Sequence, residues 1–132
     1  MKKIVVLVAI CIFPVLAKAQ AQEMKTFDST FAHVVYFWFK DPDNAQERAL
    51  FEASLKRFLE SSKYAKTNFI GTPPKAVRDV VDDSFTYNLI VTFESAEAQE
   101  AYQKEEAHLT FIEECKAYWD KVVVYDANGI PQ

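Results

Sequence analysis

The sequence predicts an α+β domain of the ferredoxin-like type, in which a β-α-β-β-α-β chain forms a four-stranded antiparallel sheet with its helices on one face. Two runs, 31–39 and 85–93, are rich in β-branched and aromatic residues, as buried strands are. Two other segments, 45–64 and 95–118, place apolar residues at helical spacing. Because the chain has only 132 residues, we expect one domain.

The first half of the domain begins with the stretch FAHVVYFWF at 31–39, whose composition predicts a strand. The tetrapeptide DPDN at 41–44 favours a turn and then an N-cap. Four apolar residues recur along one side of the helix that follows: Phe51, Leu55, Phe58 and Leu59. We expect a short second strand to end at Gly71, before a proline-containing loop.

The second half begins with the stretch FTYNLIVTF at 85–93, whose alternating apolar residues share one face of a strand. Ser95 is positioned to cap one continuous second helix that extends to about residue 118. The stretch KVVVYD at 121–126 predicts the last strand.

The helices can cover only one face of this sheet. On the first strand, the covered face holds His33, Val35, Phe37 and Phe39. The opposite face holds Val34, Tyr36, Trp38, Ile90, and Val123 or Tyr125. At roughly 25 cal/mol per Å² of apolar surface, burial of these side chains is favourable by several kcal/mol. We therefore expect a homodimer with face-to-face sheets, the alternative being a ligand or another partner on that face.

The first nineteen residues, 1–19, have the three-part layout of a secretory signal peptide. Lys2 and Lys3 form the basic end, residues 4–16 form the apolar run, and 17–19 form a small-x-small cleavage site. The apolar run is too short to span a bilayer comfortably, which disfavours a retained membrane anchor. We expect this segment to be removed and the protein to be periplasmic or extracellular.

Removal of the signal peptide would leave a disordered polar leader at 20–30, a domain at 31–126 and a tail at 127–132. It would also remove three lysines and no acidic residue, so the formal net charge would change from −4 to −7. An acidic chain without basic clusters is poorly suited to nucleic acids and to anionic membranes. Cys115 is the one cysteine that would remain, which excludes an intrachain disulfide.

Four stretches together resemble a known family. They are HVVYFWFK at 33–40, IVTFES at 90–95, AYQKEEAHLTFIEECKAYW at 101–119 and KVVVYD at 121–126. Their order and composition resemble the stress-responsive dimeric α/β-barrel (Dabb) family. The resemblance implies a ferredoxin-like fold, two copies of which form a closed barrel. Most members have no assigned reaction, and one plant branch comprises polyketide cyclases that perform an intramolecular aldol condensation in a cavity between sheet and helices.

In the cyclase branch, a tyrosine and a histidine on the second helix act as acid/base groups within the pattern Tyr-x-x-His-Pro-x-His. The resemblance assigns these roles to Tyr102 and His108, with Glu105 and Glu106 standing where the pattern has His-Pro. It also matches His33 to a histidine often found at the start of the first strand.

Other positions concern the lining of the cavity. The resemblance places a pocket tyrosine of the cyclases at Ser54 and a pocket histidine at Tyr87, so the polar lining differs. It also matches three residues to the cavity wall: Trp119, Val122 and Val124. The remaining predicted pocket residues are Val35, Phe37, Phe51, Tyr87, Leu89 and Phe111, for which plain core packing is the alternative. An apolar cavity favours a small hydrophobic or aromatic ligand.

His108, Tyr102 and His33 are the candidate catalytic residues. Imidazole titrates near neutrality and can take up or return a proton, and a tyrosine hydroxyl can donate to an enolate oxygen. Because Tyr102 and His108 are six positions apart, an ideal helix would separate them by about 120°. We therefore expect them to flank one cavity face without stacking directly. The alternative for each histidine is a core position with both ring nitrogens satisfied.

We expect neither a metal ion nor a nucleotide cofactor. Glu105 and His108 have the i, i+3 spacing of half a carboxylate–histidine metal site, but the chain has only two histidines. Gly71 and Gly129 are the only glycines, which excludes a glycine-rich phosphate loop. The chain also lacks the nucleophile elbow of serine hydrolases.

Three functions remain open at this point. The first is a secreted, dimeric barrel protein of unassigned activity that binds a small apolar or aromatic ligand. The second is an enzyme, either a cyclase-like lyase that uses His108 and Tyr102 or a monooxygenase. The monooxygenase would be cofactor-free or would use haem with His108 as the iron ligand. The third is a non-catalytic interaction module of the cell envelope.

Overall fold

The computed structural model describes residues 26–131. Its elements are β1 (Phe31–Phe39), α1 (Ala45–Ser61), β2 (Thr67–Gly71), β3 (Tyr87–Phe93), α2 (Ala96–Gln103), α3 (Glu106–Cys115), a 3₁₀ turn (Lys116–Tyr118) and β4 (Trp119–Asn128). The predicted signal peptide and the greater part of the predicted leader lie outside the described residues. Residues 26–30 contain no helix or strand, and β4 continues to Asn128 rather than ending at 126.

The four strands form one antiparallel sheet in the order β2-β3-β1-β4. The strand β1 is central, and its Val35 lies opposite Leu89 of β3 and Val124 of β4. Every second residue of β1, from Phe31 to Phe39, is buried, because the two-residue period of a strand directs these side chains to the helix-covered face. The ferredoxin-like α+β fold predicted from the sequence is confirmed.

The helix α1 begins at Ala45, directly after the DPDN turn and at the N-cap that the sequence predicts. The side chain of Asn44 accepts hydrogen bonds from the backbone N–H groups of Gln46 and Glu47, both at 3.1 Å, and so caps the helix. The buried side of α1 places Phe51 against the sheet, with its ring centroid 5.1 Å from that of Phe37 and 4.7 Å from that of Tyr87. An aromatic core therefore joins α1 to the middle of the sheet.

The prediction of one continuous second helix was wrong. The chain instead forms α2 and α3, separated at Lys104 and Glu105. Glu105 has φ −60° and ψ 138°, which is an extended conformation, so the helical path stops there. Its carboxylate accepts hydrogen bonds from the hydroxyl of Ser62 at 2.7 Å and from the backbone N–H of Lys63 at 2.8 Å. The interruption thus coincides with a tertiary contact to the end of α1.

The sheet face opposite the helices carries apolar side chains that the described residues leave partly open. Tyr36 lies at its centre, with ring centroids of Phe85, Trp38 and Tyr125 at 4.9, 6.3 and 6.3 Å. Tyr125 is 62% exposed and Phe69 is 56% exposed. Within residues 26–131, no helix has the length and apolar character needed to cross a membrane.

Candidate functional site

A cavity of about 340 Å³ lies between the sheet and the α2–α3 pair. Its walls are formed by His33, Val35, Phe37, Phe58, Leu89, Tyr102, Gln103, His108, Phe111, Ile112, Trp119, Val122 and Val124. The three candidate catalytic residues therefore share one cavity with most of the predicted lining. The volume lies at the lower end of the range of small-molecule sites, about 300–1,000 Å³.

Two predicted lining residues lie elsewhere. Phe51 is fully buried in the core and Tyr87 is 1% exposed, and neither contributes to the cavity wall. The hydroxyl of Tyr87 donates a 2.6 Å hydrogen bond to Glu52, and the guanidinium of Arg48 lies 4.8 Å from its ring centroid. Burial raises the pKa of the Tyr87 hydroxyl far above its ordinary value, and the hydrogen bond to Glu52 adds a smaller increase. Phe51 and Tyr87 therefore belong to the core between α1 and the sheet and do not line the cavity.

His108 has a defined tautomer at the cavity wall. Its Nδ1 lies 3.0 Å from the backbone carbonyl oxygen of Gln103. A carbonyl oxygen only accepts, so Nδ1 carries the hydrogen and Nε2 of the neutral ring keeps its lone pair. Burial lowers the pKa of His108 below 6.5, and the neighbouring His33 acts in the same direction, whereas the carbonyl of Gln103 and the charge of Glu105 oppose this shift. The neutral, proton-accepting form therefore predominates at neutral pH.

Tyr102 is 1% exposed and lies beside that imidazole. The ring centroids of Tyr102 and His108 are 5.2 Å apart and the ring planes are inclined by 38°, so the two rings are in contact but are tilted rather than stacked. The break between α2 and α3 changes the direction of the chain and brings the rings together. Burial, with a smaller contribution from the charge of Glu105, raises the pKa of the Tyr102 hydroxyl far above its ordinary value. The hydroxyl is therefore a proton-bearing donor at all moderate pH values.

His33 forms the third polar group of the cavity. Its Nδ1 lies 2.5 Å from a carboxylate oxygen of Asp126, its register partner on β4, and 3.4 Å from the side-chain amide of Gln99. Asp126 orients the ring by accepting from Nδ1. The His33 and Tyr102 ring centroids are 6.1 Å apart, and His33 is 7% exposed.

Trp119, another residue of the cavity wall, carries a buried donor. Its ring lies beside those of Phe37 and Phe111, with centroids at 5.2 and 5.8 Å. Its indole N–H is buried and has no hydrogen-bond partner among residues 26–131. A buried donor without a partner costs about 1–3 kcal/mol, so an acceptor placed beside it would be stabilising.

Sequence reasoning missed five residues of this site. The helical spacing predicts that Phe58 is a core residue, and its ring also lies 5.1 Å from that of His108. Ile112 is four positions after His108, a spacing that marks one helix face and could have identified it. Gln103, Gln99 and Asp126 act through hydrogen bonds to the two histidines rather than through a pattern of their own.

A larger, more open groove of about 720 Å³ lies outside the cavity, between α1 and the α2–α3 pair. Its rim is charged and includes Arg57, Lys63, Lys104, Glu105, Glu106 and Glu114. Ser54 also lies in this groove, where its hydroxyl donates to Glu114, rather than in the cavity. The stacked rings of Phe58 and Phe111, 5.6 Å apart, separate the two spaces. The candidate chemistry therefore belongs to the smaller, apolar cavity.

Among the described residues, no group of three or more His, Cys, Asp or Glu side chains could hold a metal ion. Glu105, which has the metal-site spacing relative to His108, directs its carboxylate to the end of α1.

A family model described as Stress responsive A/B Barrel Domain matches residues 31–128. The chain belongs to this stress-responsive A/B barrel (Dabb) family. A comparison with proteins of curated function found no match.

Solved structures are similar to this Dabb domain in fold. A hydroxynitrile lyase from Passiflora edulis superposes with a TM-score of 0.67 at 21% identity, covering 79% of this chain and 96% of the lyase. The protein At3g17210 from Arabidopsis thaliana gives a TM-score of 0.65 at 22% identity, covering 77% and 97%. A dimeric ferredoxin-like protein of unknown function from Thermobifida fusca gives 0.62 at 12% identity, covering 78% and 94%. At these identities the similarity establishes the fold of the Dabb domain.

Proposed function

We propose that this Dabb domain binds a small aromatic or apolar molecule that carries a carbonyl or hydroxyl oxygen. The observation that supports this most directly is the convergence of Tyr102, His108 and His33 on one cavity whose other walls are mainly apolar. The apolar walls favour a hydrophobic ligand, and the few polar groups would fix its orientation.

The same site supports a second candidate function, that of a cofactor-free lyase. His108 is neutral, with a lone pair on Nε2, and lies beside the protonated Tyr102 hydroxyl. Such a pair is suited to removing a proton from a substrate hydroxyl while stabilising the oxygen that becomes a carbonyl. One similar structure is a hydroxynitrile lyase, which adds weight to this class of reaction.

We further propose that the protein acts as a homodimer after export. The open sheet face supports the dimer, because Tyr36, Tyr125 and Phe69 would otherwise remain in contact with water. The Thermobifida fusca structure of the same fold is described as dimeric. Export rests on the signal-peptide pattern of residues 1–19, which predicts a periplasmic or extracellular location.

Ligand binding can be tested by NMR with benzaldehyde as the probe. The two tryptophans lie on opposite faces of the sheet, so their indole signals distinguish binding in the cavity from binding elsewhere. Titration into ¹⁵N-labelled protein is expected to shift the indole N–H signal of Trp119 in the cavity. The signal of Trp38, whose indole donates to Ser84 at 3.0 Å on the other face, should not move. If both indole signals are unmoved at millimolar benzaldehyde, or both move equally, the binding proposal is wrong and the interaction-module hypothesis gains support.

A matched pair of variants locates the binding event. Val124→Phe enlarges a half-exposed side chain of the cavity wall and is expected to reduce benzaldehyde affinity at least tenfold. Val80→Phe makes the same change on a loop residue that is 86% exposed and should leave the affinity unchanged. Equal effects of the two substitutions would place the probe outside the cavity.

The lyase candidate is tested by release of benzaldehyde from mandelonitrile. In that reaction, Nε2 of His108 would take the hydroxyl proton, the bond between carbon and cyanide would break, and cyanide would leave and be protonated. His108→Gln is expected to abolish the activity. If the unmodified protein releases no more benzaldehyde than buffer, it is not a mandelonitrile lyase, while the binding proposal stands on the titration.

A further inference from the structure

We propose that Glu105 is a positioning residue that constructs the His108 site by holding the break between α2 and α3. The inference rests on the proposed function only in that this site is the one assigned to ligand binding. The role concerns the tautomer and placement of the imidazole, both of which can be observed without any ligand.

The first support is the double contact of the Glu105 carboxylate. One oxygen accepts from the Ser62 hydroxyl at 2.7 Å, and the other accepts from the backbone N–H of Lys63 at 2.8 Å. Ser62 is the C-cap of α1, and its hydroxyl also accepts from the N–H of Ala65 at 3.2 Å. Charge-assisted hydrogen bonds to two groups of a defined turn hold a chain segment more firmly than one exposed contact.

The second support is the backbone path that this contact imposes. The N–H of Glu105 bonds to the Tyr102 carbonyl at 3.2 Å, three residues back, and α2 ends. The carbonyl of Glu105 then accepts from Leu109 at 3.1 Å, which starts α3. In an unbroken helix, the Gln103 carbonyl would accept the backbone N–H four residues later. Here it accepts the Nδ1–H of His108 instead.

The tautomer of His108 therefore depends on the break. The freed Gln103 carbonyl accepts from His108, and a histidine that supplies Nδ1–H must leave its lone pair on Nε2. The same break brings the His108 ring to 5.2 Å from the Tyr102 ring, although the two residues are six positions apart. Glutamate is an ordinary helix former, so the residue type alone does not explain an interruption here. The contacts of the Glu105 carboxylate with the end of α1 explain the interruption.

The test observes the imidazole nitrogens in the full chain labelled with ¹⁵N-histidine. At a pH where the rings are neutral, long-range ¹H–¹⁵N spectra distinguish the Nδ1–H tautomer from the Nε2–H tautomer. The unmodified protein is expected to show His108 as Nδ1–H. Glu105→Ala should replace that signal with a mixture that includes the Nε2–H form, with His33 as the internal reference.

Glu106→Ala is the matched control, because it removes the same charge from the adjacent residue without touching Ser62 or Lys63. It should retain the Nδ1–H form of His108. If Glu105→Ala fails to fold by circular dichroism, Glu105→Gln replaces it. Glutamine keeps one acceptor oxygen and loses the other, so a partial loss of the Nδ1–H form is expected.

A folded Glu105 variant that keeps His108 entirely as Nδ1–H would overturn the inference, as would an equal loss in Glu106→Ala. The outcome is independent of the benzaldehyde titration. A protein that does not bind benzaldehyde but changes tautomer in Glu105→Ala would refute the proposed function and leave the role of Glu105 intact.

Discussion

The ring centroids of Tyr102 and His108 lie 5.2 Å apart, with the ring planes inclined by 38°. On one ideal helix these residues would point about 120° apart. The contact exists because the chain leaves the helical path at Glu105 and begins a new helix one residue later. A buried tyrosine and a neutral imidazole are thereby placed side by side on the cavity wall.

His108 predicts how stability depends on pH. Burial, as the largest cause, lowers its pKa in the folded state below the 6.5 of the unfolded chain. Between these two pKa values the unfolded state binds more protons, so the free energy of unfolding should fall as the pH is lowered from 6.5. Above pH 6.5 both states are neutral and the contribution is constant. The contribution of His108 is measured by urea unfolding of the unmodified protein and of His108→Gln between pH 7.5 and pH 5.

In His108→Gln, the acidic loss of stability should be smaller than in the unmodified protein. The comparison is needed because His33, Tyr102 and Glu105 also face His108, and carboxylates elsewhere add their own pH dependence. Identical pH profiles of the two proteins would contradict the lowered pKa of His108.

The burial of Phe51 predicts how much stability is lost when a cavity is created in the aromatic core. Phe51 is fully buried, and its ring contacts those of Phe37, Phe39 and Tyr87. Phe51→Ala should lower the free energy of unfolding by about 3–5 kcal/mol, because it leaves a cavity that the neighbours cannot fill. Leu50→Ala, one residue earlier and 51% exposed, should cost about 0.5 kcal/mol or less. Denaturant unfolding at one fixed protein concentration checks both values, and similar losses would argue against this packing.

The fold was predictable because its strongest signals are local. The β-branched and aromatic composition of residues 31–39 identified the strand, and the two-residue period of a strand then divided its side chains between two faces. The N-cap at Asn44 was visible for the same reason, since a cap acts within three residues. Such signals require no knowledge of which segments meet.

The site was only partly predictable because its decisive contacts join distant segments. Ser62 and Glu105 are 43 positions apart, and His33 and Asp126 are 93 apart. No local pattern distinguishes a glutamate that ends a helix from one that continues it, so one long helix was expected. The ring contact between Tyr102 and His108 was not predictable for the same reason. The strand register could have paired His33 with Asp126, because opposed residues in an antiparallel sheet are close.

Tyr36 predicts the oligomeric state. It lies at the centre of the open sheet face, beside Phe85, Trp38 and Tyr125. Tyr36→Glu places a charge where the proposed dimer buries apolar surface, so sedimentation should show a monomer at micromolar concentration. Tyr64→Glu introduces the same change on the helix side and should leave the dimer intact. A monomeric unmodified protein, or a dimeric and folded Tyr36→Glu, would refute the proposed interface.

The two buried tyrosines allow ligand recognition to be separated from stability. Tyr87→Phe removes a hydroxyl that donates to Glu52 at 2.6 Å outside the cavity, so it should cost about 1 kcal/mol of stability and leave benzaldehyde affinity unchanged. Tyr102→Phe keeps the ring that packs against Phe58, Phe93 and His108, and removes only the hydroxyl.

We expect Tyr102→Phe to leave the free energy of unfolding nearly unchanged and to weaken benzaldehyde binding about fivefold to tenfold, the equivalent of one hydrogen bond of about 1–1.4 kcal/mol. Paired measurements by denaturant unfolding and NMR titration test both residues together. If Tyr87→Phe weakens binding as much as Tyr102→Phe does, the hydroxyl of Tyr102 is not the group that recognises the ligand oxygen.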